Sequence, residues 1–244
     1  MSEPQCMMLP DGTQEWRVNG KLHREDGPAK ILADGGQFWY RDGKLHREDG
    51  PAVTWKNGDQ EWYRDGKRHS ENGPSIILAN GYQFWHRNGK LHREDGPAVV
   101  RADGSQEWHS NGQLHRDDGG PVIVLANGTQ FWYRNDKLHR DDGPAETWDD
   151  GSGFWWIKGK LHREDGPAIV WADGSQLWYF DGKRHREGGP AVIWANGDQE
   201  WYRDGELHRE DGPAIVNADG TEEYWEQGRR IIKSDHVQSS SRWP

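Results

Sequence analysis

The chain has 244 residues, a formal net charge of −10 and a mean hydropathy of −1.15, with 32% hydrophobic and 30% charged residues. Such an acidic chain does not suit a nucleic-acid backbone or an anionic membrane as main partner, because both select basic surfaces. The 32 Gly and 12 Pro exclude a long helical bundle, and 16 Trp set the chain apart from disordered sequences, which are poor in aromatics.

In chain order, residues 1–10 have neither a basic start nor an apolar run, so they read as a lead-in and not as a signal peptide. No stretch approaches the ~18 apolar residues of a membrane helix. Cys6 is the single cysteine. It permits neither a disulfide framework nor a cysteine zinc cluster, and it fits a reducing, cytoplasmic setting.

From Asp11 onward the chain repeats. His23, His46, His69, His92, His115, His139, His162, His185 and His208 each open an H-R-E-D-G-P-like block. The step is 23 residues, except for 24 between His115 and His139, where Gly119-Gly120 replaces a single Gly. Nine units follow one another and a tenth, half-formed, spans 219–228. The organisation is therefore a lead-in (1–10), one repeat domain (11–228), and a tail or cap (229–244).

Each unit holds two Asp-Gly or Asn-Gly steps, such as Asp34-Gly35 and Asp42-Gly43. These favour the type I′ turn that joins antiparallel strands. Gln37-Phe38-Trp39-Tyr40-Arg41 and Ala52-Val53-Thr54-Trp55 have strand character. If Glu48-Asp49-Gly50-Pro51 were a third reversal, successive units would run in opposite directions and could not stack by translation. That block is therefore a bulge or corner within one long bent strand. The fold expected is all-β: an elongated, open-ended array of about ten antiparallel β-hairpins.

Two-residue turns set Trp62 opposite His69 and Tyr63 opposite Arg68. The same register makes Glu61 face Ser70, while Glu15, Glu107 and Glu200 face Arg24, Arg116 and Arg209. Phe38, Phe84 and Phe131 then face Arg47, Arg93 and Arg140 as cation–π pairs.

Trp62-Tyr63-Arg64-Asp65-Gly66-Lys67-Arg68-His69 followed by Ala79-Asn80-Gly81 resembles the MORN repeat, including its acidic and polar variants in bacteria and viruses. The likeness covers roughly residues 11–228. Gln83-Phe84 stands where that family has Tyr-x-Gly, and His92-Arg93-Glu94-Asp95-Gly96-Pro97 where it has His-Gly-x-Gly. The resemblance implies a hairpin-repeat scaffold that binds proteins or tethers to membranes, and not an enzyme.

The nine His residues do not read as a metal site. One hairpin advances the stack by about 9.5 Å, whereas zinc holds its ligands at ~2 Å. Each His instead packs on the Trp opposite and bonds a turn. Carboxylate pairs such as Glu94-Asp95 recur beside Lys and Arg in unit after unit. Catalysis requires an asymmetry that they lack, and no phosphate loop, nucleophile elbow or HExxH is present. Neither an enzyme, a cofactor nor a metal is expected.

Trp16, Trp39, Trp62, Trp85, Trp108, Trp132, Trp155, Trp178 and Trp201 form an invariant row that reads as core. The variable aromatic rows are the binding candidates: Tyr133, Trp148, Trp156, Trp171, Tyr179, Trp194 and Tyr202, densest in units six to eight. The function expected is non-enzymatic binding of a protein partner along this aromatic and charged face. By analogy, that is an inhibitor or sequestering protein of a phage, virus or bacterium. Carbohydrate binding on the Trp and Tyr surfaces is the alternative, then lipid tethering, against which the net charge counts. The end hairpins or the tail offer a route to a homodimer.

Overall fold

The computed structural model describes residues 3–232. Every regular element among them is a β-strand, and most are two residues long. The chain forms two compact units, Met1–Gly128 and Thr129–Pro244.

The repeating element is a bent hairpin. In the unit around Trp39, Tyr40 pairs with Leu45 and Arg41 with Lys44 across the turn. Further down the same two arms, Phe38 pairs with Val53 and Gln37 with Thr54. Trp39 joins the two halves: its carbonyl accepts the His46 N–H at 3.0 Å, and its own N–H donates to the Ala52 carbonyl at 2.7 Å. Residues 47–51 are thus an excursion from one arm, which is the corner expected from Glu48-Asp49-Gly50-Pro51. The turn needs two left-handed residues, Asp42 at φ 53° and Gly43 at φ 79°, which explains the Asp-Gly and Asn-Gly steps.

Successive hairpins join through a second turn and form an open antiparallel ladder. In the first unit it runs Gln5–Met8, Gln14–Val18, Lys30–Ile31, Gln37–Phe38, Val53–Thr54 and Gln60–Glu61, then on to Ile123–Val124. In the second it runs from Gln130–Phe131 to Glu222–Glu226. Gln5–Met8 lies within the lead-in; four residues were too few to show strand periodicity. At the other end Arg229–Ile231 pairs with Tyr224–Glu226, so the tenth hairpin has both arms at its turn. Residues 233–244 of the tail lie outside the described residues.

The ladder is held by small residues. Ala29, Ala52, Ser75 and Ala98 in the first unit, and Ala145, Ala168, Ala191 and Ala214 in the second, are completely buried. The Trp row is less buried than a core row: Trp132, at 9% exposure, is its one buried member, and in every hairpin of the row but that of Trp62 an arginine guanidinium covers the ring instead of a second sheet.

The turn register is as expected, with Tyr63 opposite Arg68 and His69 bonded to Trp62. Beyond the Trp it differs. Glu61 faces Ile76 and Val53, not Ser70. Arg24, Arg116 and Arg209 bind Asp26, Asp118 and Asp211, not Glu15, Glu107 and Glu200. Arg47, Arg93 and Arg140 lie 4.2–4.3 Å from the ring centres of Trp39, Trp85 and Trp132, not over Phe38, Phe84 and Phe131. The cause is the corner, which removes the Arg from the ladder one residue after the His.

Candidate functional site

Strand alternation gives each ladder two different faces. In 176–180, Leu177 and Tyr179 point to one side, Trp178 and Phe180 to the other.

On the first face of the second unit, Phe154, Ile169, Leu177 and Val192 form a buried cluster. Trp156, Trp171, Tyr179, Trp194 and Tyr202 pack against it. Trp148 joins through its ring contacts, 5.1 Å to Phe154 and 5.6 Å edge-to-face to Trp171. Six of the seven candidate residues are thereby brought together. Tyr133 stands apart, paired with Leu138; burial pushes its phenol up, and the nearby Glu146 carboxylate adds to the shift.

Trp148 remains 39% exposed, so this is a half-covered aromatic surface on a single layer. The Trp156 indole nitrogen is buried with no hydrogen-bond partner among the described residues.

Polar groups on this face were not singled out by sequence reasoning. Trp194 Nε1 donates to Glu200 Oε1 at 2.8 Å, and the Tyr202 hydroxyl donates to Glu200 Oε2 at 2.9 Å. Arg184 donates to the Tyr179 and Tyr202 hydroxyls at 3.2 and 3.1 Å and lies 3.9 Å from Glu200. Burial pushes the Tyr202 phenol up, and its bond to the Glu200 carboxylate pushes it further. The first unit repeats the arrangement: Glu61 accepts from Trp55, Tyr63 and Arg68.

These groups account for the alternation of Glu and Phe along the row. Where Glu stands, a cation replaces a neutral neighbour: Arg17 and Lys30 at Glu15, Arg68 at Glu61, Arg101 at Glu107, and Arg184 at Glu200. Phe154 instead belongs to a cluster with Leu161 against it. The signal was present in the sequence as Arg68 and Arg184 in a row otherwise rich in Leu.

The opposite face carries the Trp and His rows and the corner loops. His23, His46, His69, His92, His139, His162, His185 and His208 each bond a turn, but the turn of the next hairpin. His46, His162 and His185 Nδ1 accept the N–H of Asp65, Asp181 and Asp204, each at 3.1 Å. Among the described residues, no three His, Cys, Asp or Glu side chains are grouped to hold a metal ion.

The chain matches no family model and no curated protein. No helix among the described residues is long and apolar enough to cross a membrane.

Proposed function

We propose that the protein is a non-catalytic repeat scaffold of the MORN-like type that binds a protein partner on the aromatic face of its second unit. The observation that carries this reading is the half-covered set of Trp148, Trp156, Trp171, Trp194 and Tyr202 on one small core. Large rings beside Arg184 and Glu200 have the composition of binding hot spots, in which Trp, Tyr and Arg dominate. The edge-to-face setting of Trp148 and Trp171, at 79°, favours a protein over a glycan, since successive sugar rings stack on parallel faces. The net charge of −10 disfavours an anionic lipid surface.

Affinity capture from source-cell lysate, with crosslink mapping, tests it. One stoichiometric protein crosslinked around Trp148 and Trp194, and lost in a folded Trp148→Ser/Trp194→Ser variant, is expected. Capture that ignores both substitutions, or no capture at all, would overturn the reading.

A further inference from the structure

The corner face repeats one ion pair. The second residue of the strand before each turn is commonly Arg, and it reaches the acid seven residues on. Arg41, Arg64 and Arg87 bind Glu48, Glu71 and Glu94 at 3.3, 2.6 and 2.6 Å. In the second unit Arg134 binds Asp141 at 2.7 Å and Arg203 binds Glu210 at 2.9 Å. The guanidinium holds Glu71, Glu94, Asp141 and Glu210 below the usual carboxylate range.

Two consecutive hairpins between those of Arg134 and Arg203 lack this arginine while keeping the acid. Ile157 and Phe180 occupy its place, and Glu164 and Glu187 remain seven residues on. Among the described residues Glu187 has no ion pair, and Glu164, with its side chain 83% exposed, has only the His162 ring at 3.8 Å. Phe180 is 51% exposed and rests between His162 and His185, at 4.6 and 6.2 Å between ring centres. Ile157 and Glu164 line a groove of about 530 Å³ bordered by Asp141 and Asp142. Three nearby cations are engaged, while Lys158 and Lys183, at the two turns, make no ion pair with Glu164 or Glu187 among the described residues. Arg163 is paired with Asp165, Lys160 with Asp181, and Arg186 lies 3.8 Å from the Trp178 ring centre and donates to the Pro190 carbonyl.

We infer that the Ile157–Phe180 strip is a docking surface for a partner-protein segment that carries arginine beside an apolar residue, its guanidinium groups pairing with Glu164 and Glu187. The chain's own five pairs state the chemistry: a planar guanidinium held by a corner carboxylate, here to be supplied from outside. The apolar part of the segment covers Phe180. This surface lies on the face opposite Trp148 and Trp194 and stands or falls independently of the aromatic face.

The test uses the full chain and a fluorescein-labelled peptide with two Arg-Leu pairs in a Gly-Ser background, read by anisotropy at low salt. Saturable 1:1 binding is expected. The analogue with Lys for Arg should bind several-fold more weakly. Glu164→Gln/Glu187→Gln should weaken binding roughly tenfold, the value of losing two exposed ion pairs of about threefold each. Ile157→Arg/Phe180→Arg restores the repeat's own pairs and should abolish binding while leaving the thermal midpoint unchanged or higher. Trp148→Ser/Trp194→Ser should bind like wild type. Absence of saturable binding, or equal binding to the arginine-restored variant, would overturn the inference and reduce any residual attraction to net charge.

Discussion

The Nδ1 atom of His139 accepts the main-chain N–H of Lys158, in the turn of the following hairpin, at 3.1 Å. The ring is 6% exposed, so no water replaces it easily. His139→Ala leaves that N–H without its acceptor and opens a void, at a cost of about 1–3 kcal/mol. Urea denaturation measures it, and an unchanged midpoint would remove the His row from the forces that hold neighbouring hairpins together.

His86 is an acid-sensitive ring. Burial, with the nearby Arg68 charge, lowers its pKa to about 4, and its Nδ1 lies 2.7 Å from Ser75 Oγ. A His with a depressed folded pKa binds protons more readily when unfolded. Its contribution to stability is complete above the unfolded value, near 6.5, and is lost as pH falls from there towards 4. The thermal midpoint of wild type should therefore fall more between pH 6.5 and 4 than that of His86→Tyr, which carries the residue of the two preceding repeats, Tyr40 and Tyr63. An NMR titration of His86 with a midpoint near 6.5 would contradict this.

Arg184 and Glu200 belong to one network, so their substitutions should not add. Arg184→Leu and Glu200→Leu each strand a partly buried charge. The double variant resembles the apolar arrangement of Leu161 and Leu177 in the same unit. A double-mutant cycle should give a favourable coupling of about 0.5–3 kcal/mol. Strict additivity would mean that solvent, and not the partner, satisfies each group.

Two turns carry residues ill suited to their backbone. Asp136 sits at φ 57° where the other hairpins have Gly, and Lys158 sits at φ 54° where Asn or Asp is usual. Replacing Asp136 by Gly, and Lys158 by Asn, should each raise stability by about 0.5–1 kcal/mol, since Gly enters the left-handed region without steric cost and Asn enters it more readily than Lys. Calorimetry would register either gain as a higher midpoint.

Much of the fold was legible because the repeat compares the sequence with itself. Asp42-Gly43 marks the turn, and stacking of equivalent units by translation requires Glu48-Asp49-Gly50-Pro51 to be a corner. What escaped depends on the third dimension. Arg47 lies over Trp39 and not Phe38 because the corner rotates it out of the ladder, and strand periodicity contains no information about corners. The aromatic rows could be counted, but their assembly on Phe154 and Val192 depends on which strands become neighbours. Gln5–Met8 was missed for a different reason: its partner, Gln14–Val18, creates the strand, and its own composition does not.

The bonds between neighbouring hairpins connect residues about one repeat apart: 19 positions from His139 to Lys158, 20 from Ser152 to Ala172, and 18 from Arg184 to Tyr202. Sequence separation between partners therefore does not grow as hairpins are added, and the loop entropy for each new hairpin stays constant. A gene carrying this period can lengthen or shorten in steps of one repeat without a new folding problem, because each inserted hairpin brings the acceptor, donor and turn that its neighbours require. Removing 23 residues from one His to the next rejoins a like surface to a like surface. Removing 22 or 24 would misalign the row of His–turn bonds at the joint.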